Sequence, residues 1–285
     1  MGGVGKRSLA QFNFWARNLV LIQARAHYGE MSMAYRLVVD QGTGATQCKL
    51  MDELGQVVAQ ASAAVAERSP HPSWVEHDAR AIWRSLGQAV RHCLALAPPV
   101  RVSAVDLSPQ SDTALVWRRK DAAPVTPVLV ANDQRTQGMC NALTGPNSDA
   151  MFVERTGTPL NPLSSALKIR WLLDDVDPQR RACRDGALVA GTVDAWLLAT
   201  LGAEPVMDVA QASQTQLLHV REGRWDAELL AFFHIPEQVL PRVAPTAGRW
   251  GDAGAIHPAL AGVPVGVAMA SAPASSIPLT LSPRA

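Results

Sequence analysis

The sequence is poor in charge, has few cysteines and contains no long apolar run. Charged residues make up 18% of its 285 residues and the formal net charge is +1, so it carries no electrostatic footprint for nucleic acid or an anionic membrane surface. Its longest apolar runs fall well short of the roughly 18 residues that a membrane span needs. Cys48, Cys93, Cys140 and Cys183 are scattered, with no CxxC pair, which excludes a zinc knuckle and a dense disulfide scaffold. Each reads as a small buried hydrophobe with a reduced thiol, as in a cytoplasmic protein. There is no internal repeat. A signal peptide is only faintly suggested by Lys6-Arg7 and the stretch after it, because Arg17, Asn18 and Gln23 leave an apolar core too short for export. Residues 1–32 read as an extension, disordered or created by a misplaced start, with Met31 and Met33 just ahead of the first strand.

What is present is the composition of a soluble globular protein, 48% hydrophobic, long enough for one large or two modest domains. The stretch from Val38 to Thr46 organises it. An apolar strand ends in Asp40 and meets Gly42-Thr43-Gly44; a second strand follows from Cys48, a polar turn at Asp52 to Gly55, and a third strand from Gln56, giving a β-meander. The N–H groups of the first hairpin, with the hydroxyls of Thr43 and Thr46, can cradle phosphate, and Asp40 can hold a phosphate-bound Mg²⁺ directly or through water. An ordinary glycine-containing hairpin accounts for the same residues taken alone.

Further along, Asp78 is a good N-cap for a helix burying Ile82, Trp83, Leu86, Val90, Cys93 and Leu94, which stops near Ala97 before Pro98-Pro99. His77 reads as a structural hydrogen bond at the helix start. Strands are expected over 101–107, 113–118 and 127–130 as one layer. Asp133 reads equally as the N-cap of a helix over 134–143 and as a substrate contact. The helix from Lys168, with Ile169, Leu172 and Leu173 inward and Trp171 in the core, reads as packing alone. A strand over 188–190, helices over 192–201 and 225–233, and a strand over 264–269 complete the pattern. Asp194 and Trp196 have structural roles, and 208–215 is an acidic, Ala-Ser-rich loop.

Five segments carry a resemblance: Ser73-Trp74-Val75-Glu76-His77-Asp78, Asn132 to Thr136, Arg155 to Leu160, Gly191 to Leu197 and Asp208 to Thr215. In order and spacing they resemble the FGGY carbohydrate kinases, most of all the glycerol kinase branch, over about residues 34 to 269. The resemblance implies an α/β fold of the ribonuclease-H-like, actin-like ATPase type, a mixed sheet flanked by helices, with residues 33–269 forming the substrate-binding first of that family's two domains. It implies ATP and Mg²⁺ as cofactors, a sugar or polyol hydroxyl as acceptor, and homo-oligomers.

The same resemblance locates departures. Ser111 and Asp112 stand where glycerol kinases carry an Arg-Glu pair, Ala131 where they carry tryptophan, and Leu163 where they carry tyrosine. Losing the guanidinium removes up to about five directed donors, and the wider pocket implies an acceptor larger than glycerol. Gln47 replaces an arginine of the phosphate hairpin. The aspartate that serves the family as base falls on Ala270 or Ser271, and a serine lacks the proton-accepting capacity of a carboxylate. Residues 270–285 form a Pro-, Ser- and Ala-rich tail without an acid, which reads as translation leaving its frame, or as a fragment. The expectation is an ATP-dependent carbohydrate kinase whose first domain alone has little activity. The alternatives are a catalytically dead sugar-binding or regulatory module and a non-functional remnant.

Overall fold

The computed structural model describes residues 34–267 except Pro109, Thr246 and Ala247. β1 (Tyr35–Gln41), β2 (Ala45–Met51) and β3 (Val57–Ala64) form the expected meander, each antiparallel to the next. Period-two alternation sets its faces: Leu37, Val39, Cys48 and Leu50 are buried, while Asp40 and Gln47, opposite one another, are exposed. The second turn requires glycine, since Gly55 has φ 75°. There the Asp52 carboxylate accepts from the N–H groups of Leu54 and Gln56.

β4 (Glu67–Arg68) and β5 (Glu76–His77) lead into α1 (Ala79–Leu96). Asp78 caps it, accepting from Arg80 N at 2.9 Å. Ile82, Leu86, Val90 and Cys93 are buried in the core that α1 forms on β2 and β3, with Trp83 and Leu94 packed at its margin. Pro98 and Pro99 follow at once and cannot continue the helix. β6 (Val102–Ser108) then returns parallel to β1, with Asp40 in register with Ser108.

Beyond β6 the chain leaves the sheet. β7 (Leu115–Arg118), β8 (Val128–Leu129), α2 (Gln137–Leu143), α3 (Pro146–Thr156), α4 (Ser165–Val176), α5 (Arg181–Arg184), β9 (Leu188–Gly191) and α6 (Val193–Thr200) follow in order. The expected single layer of three strands is corrected: β6 belongs to the main sheet, β7 pairs antiparallel with β9, and β8 joins β4 and β5, so that among the described residues the second and third expected strands meet only at the antiparallel bridge of Ala114 with Leu129. The break falls at Asp112, whose left-handed backbone (φ 55°) cannot continue a strand. α2 starts at Gln137 and not at residue 134, because the Asp133 carboxylate is fully buried and accepts from Val75 N at 2.7 Å and from Arg135.

β10 (Val206–Asp208), α7 (Val209–Gln214), β11 (Leu218–His219), β12 (Arg224–Trp225), α8 (Ala227–Phe232) and β13 (Arg242–Ala244) make up the rest of the excursion. The expected loop over 208–215 is a helix that Asp208 caps through the N–H groups of Ala210 and Gln211. The expected helix over 225–233 starts two residues late, as Asp226 is its cap and Trp225 lies in β12, its indole N–H donating to Pro241 O.

β14 (Arg249–Asp252) and β15 (Pro264–Val267) close the main sheet, whose order is β14-β15-β6-β1-β2-β3, with β15 parallel to β6. An ion triad centred on the buried Asp106 crosses it. Asp106 on β6 meets Arg36 Nη2 at 2.5 Å and Arg249 Nη1 at 2.6 Å. Glycine at position 266 leaves the path open, for a Cβ there would sit 2.1 Å from Arg249 Nη1. Asp106→Ala strands a buried Arg36 cation and should lower stability by about 3–5 kcal/mol; Arg249→Ala, removing a guanidinium whose side chain is 41% exposed, should cost less. Urea unfolding of both variants checks the order.

His77 departs from its expected role. It is fully buried and neither ring nitrogen has a hydrogen-bond partner among the described residues. Burial pushes its pKa below the ordinary 6.5, against the opposing pull of Glu67. With the folded value below the unfolded one, the stability linked to His77 is complete above about pH 6.5 and is lost as pH falls through the depressed folded value. His77→Phe should therefore be less acid-sensitive than the parent between pH 7 and 5, read as the difference in urea midpoint.

Candidate functional site

The C-terminal ends of β1 and β6 lie side by side, and the hairpin expected to hold phosphate adjoins them. Asp40 is exposed, flanked in register by Gln47 on β2 and Ser108 on β6. At the hairpin tip Gly42 N donates to Ala45 O at 3.0 Å, while the N–H groups of Thr43 and Gly44 make no hydrogen bond among the described residues. Neither Gly42 nor Gly44 has a left-handed backbone. Glycine matters at position 42 for space, since a Cβ would lie 3.1 Å from Ala45 O, whereas position 44 is open. An exposed carboxylate beside two free N–H groups has the donor set for a phosphate carrying Mg²⁺.

Thr46 leaves that set. Its hydroxyl is fully buried, 2.6 Å from Ser85 Oγ on α1. Ser85 uses its own proton on Ile82 O at 2.9 Å, so Thr46 is the donor and ties β2 to α1. Alternation explains this: Thr46 shares the helix-facing side of β2 with Cys48 and Leu50.

The β6–β7 loop joins the hairpin to a second group of residues. Gln110 Nε2 donates to Gly42 O at 2.9 Å and to Gln41 Oε1 at 3.1 Å. Ser111 and Asp112 follow, half-buried, and their side chains make no hydrogen bond among the described residues. Lys168 Nζ, reaching in from α4, donates to Asp112 O at 2.6 Å and to Ala131 O at 3.3 Å. Thr136 Oγ1 donates to Pro162 O at 2.7 Å, attaching the segment that carries Leu163. Ser111, Asp112, Ala131 and Leu163 are thus linked through one hydrogen-bonded frame. Burial pushes the Asp112 carboxyl above its ordinary value, partly offset by Lys168. Burial pushes Lys168 down to about 8, with Asp112 and Asp133 opposing and Arg135 reinforcing.

Arg135 supports this corner from below. Its guanidinium lies 4.0 Å above the Trp74 ring and 4.9 Å from Trp171, and it pairs with Asp133 and Glu76. Trp171 is therefore half of a cation cage, not simply core. Helical spacing alone assigns Lys168 to packing; the signal that points to it is its place four residues before Leu172, on the inward stripe of α4. Ala270 and Ser271 lie outside the described residues, although β15, which leads to them, is described. Asp194 is fully buried, accepts from Thr192 Oγ1 at 2.5 Å and is pushed up to about 6 by burial. Among the described residues no group of three or more His, Cys, Asp or Glu is placed to hold a metal, and no helix is long and apolar enough to cross a membrane.

The two threonines give a direct check on the hairpin. Thr46→Val should lower stability by about 1 kcal/mol, the worth of one buried hydrogen bond, whereas Thr43→Val, at an exposed position, should leave the urea midpoint unchanged.

Residues 35–274 match the model of the FGGY family of carbohydrate kinases, N-terminal domain. A glycerol kinase of Paracidovorax citrulli is 40% identical over 240 residues, which are 82% of this chain and 47% of that protein. One from Rhodospirillum rubrum is 38% identical over 237 residues, again 82% and 47%. Among solved structures, Plasmodium falciparum glycerol kinase with ADP superposes with a TM-score of 0.75 at 24% identity, covering 82% of this chain and 48% of that one. Xylulose kinase from Rhodospirillum rubrum gives 0.72 at 24%, with the same coverage. The chain spans about half the length of these relatives. With its six-stranded mixed sheet flanked by helices and the family match from residue 35 onward, the chain belongs to the FGGY family of carbohydrate kinases and carries the N-terminal, actin-like domain of that family.

Proposed function

We propose that this chain is the substrate-side half of an ATP-dependent kinase that phosphorylates a hydroxyl of a polyol or sugar larger than glycerol. The observation that supports it best is the β6–β7 loop. Gln110 fastens one end of it to the Asp40 hairpin, and Lys168 fastens the other to Ala131. A phosphate donor at the hairpin and a hydroxyl acceptor at Asp112 would then be held by neighbouring parts of one rigid segment. The free carboxylate of Asp112 can accept from two hydroxyls, and Ser111, Ala131 and Leu163 leave more room than Arg, Trp and Tyr would. Mg²⁺, held by Asp40, would neutralise charge on the nucleotide phosphates. We place the protein in the cytoplasm, with a small hydroxylated molecule as its partner and neither nucleic acid nor membrane.

A second reading, a sugar-binding module without turnover, is favoured by two positions. Gln47 sits across from Asp40 where a cation would grip phosphate, and Ala270-Ser271 offers no carboxylate base. General base catalysis is worth ~10²–10⁴ in rate, so transfer by this chain should be slow or undetectable even where ligands bind.

Calorimetry with glycerol, xylitol and D-xylulose, with and without Mg·ADP, separates these readings from a non-functional remnant. Xylitol or D-xylulose should bind more tightly than glycerol, and Asp112→Ala should weaken that binding by about tenfold or more, the loss of charge-assisted hydrogen bonds. Glycerol binding tightest of the three, or affinities indifferent to Asp112→Ala, would sink the proposal. Phosphate transfer to the bound polyol once a second domain is supplied, followed by ADP release, then distinguishes a kinase half from a binding module, which would bind without transfer even then.

A further inference from the structure

Lys168 is a lysine in a place that packing alone would give to leucine or methionine. Its side chain is fully buried on α4, and an ammonium taken out of water is expensive unless it is well paired. Its hydrogen-bond partners among the described residues are two backbone carbonyls, of Asp112 at 2.6 Å and Ala131 at 3.3 Å. These carbonyls belong to segments far apart in sequence, one after β6 and one after β8. Both residues sit at the substrate-facing positions proposed above. Asp112 also has a left-handed backbone, φ 55°, a conformation that is strained for a non-glycine residue and persists only when its surroundings hold it.

We propose that Lys168 is a positioning residue for polyol recognition: its ammonium joins the Asp112 and Ala131 carbonyls, and this joint sets the direction in which the Asp112 carboxylate meets a hydroxylated ligand. The inference rests on the reading of this corner as a polyol site. The charged groups around the ammonium are the Asp112 and Asp133 carboxylates, which hold its proton on, and Arg135, which works against it; burial outweighs the carboxylates and brings Lys168 to about 8. A neutral amine donates more weakly than an ammonium, since charge-assisted hydrogen bonds are roughly twice as strong as neutral ones. The joint should loosen on the alkaline side of neutrality.

Two readouts on the intact chain test this. The first is amide hydrogen exchange of segments 110–114 and 129–133 without ligand, corrected for intrinsic rates, from pH 6.5 to 9.5. The second is calorimetric binding of xylitol and D-xylulose over the same range. In the parent both loop protection and polyol affinity should fall as pH rises through about 8, affinity by about tenfold. Lys168→Met should lack both at every pH, and Lys168→Arg, which stays charged, should keep both to pH 9.5. Protection and affinity unchanged in Lys168→Met, or flat across pH 8 in the parent, would overturn the role of Lys168 while leaving the polyol site standing. A joint that loosens as described with no polyol bound at any pH would instead overturn the polyol reading, and the recognition role with it. If Lys168→Met does not fold, the pH profile of the parent decides.

Discussion

Everything in the candidate site depends on the parallel pairing of β1 with β6. Because the two strands run the same way, their C-terminal ends finish together, and Asp40 comes to lie beside Ser108 at the entrance to the β6–β7 loop. An antiparallel partner would have put a strand start there. The meander covers one side of β1 and β15 extends the sheet beyond β6, so β1 and β6 are held from both sides and their loops leave from a rigid edge. Open α/β sheets place ligands outside the carboxyl ends of parallel strands for this reason.

Around that edge the protein tolerates several buried charges, each paired in a different way. Asp106 is neutralised by two arginines across the sheet. Arg135 is caged by two tryptophans and two carboxylates. Lys168 has only carbonyl oxygens as direct partners among the described residues. The first two satisfy the desolvation cost with opposite charge, which is a structural solution. The third leaves a proton loosely held beside Asp112, at the corner proposed to hold the polyol.

The sequence made the meander, the Asp78 cap, the apolar stripe of α1 and the strand before residue 268 legible, because each is set by local alternation, a side-chain cap or helical spacing. The residues proposed for the site come by a different route, through five spaced segments that resemble one family. What stayed hidden was pairing. Nothing in Leu115 to Arg118 says that its partner is Leu188 to Gly191 and not β6. Thr46 and Thr43 look alike in a Gly-Thr-rich turn, yet one lies on the helix-facing side of its strand and the other at the exposed tip. Asp133 and Asp78 are both acids ahead of a helix; Asp78 caps its own, while Asp133 is drawn inward by Val75 and Arg135.

By itself, then, the sequence determined which segments are strands and helices over most of the chain, the family to which it belongs, and the residue types at Ser111, Ala131 and Leu163 on which the proposed pocket rests. These depend on residue type and on short-range order, which are written in the chain directly. Only the tertiary structure decided that Thr46 is a buried tie, that the His77 ring nitrogens find no hydrogen-bond partner among the described residues, and that Lys168 is the joint between two loops. Those facts depend on which distant backbone groups meet in a space without water, where an unmet hydrogen bond is costly and a met one fixes position.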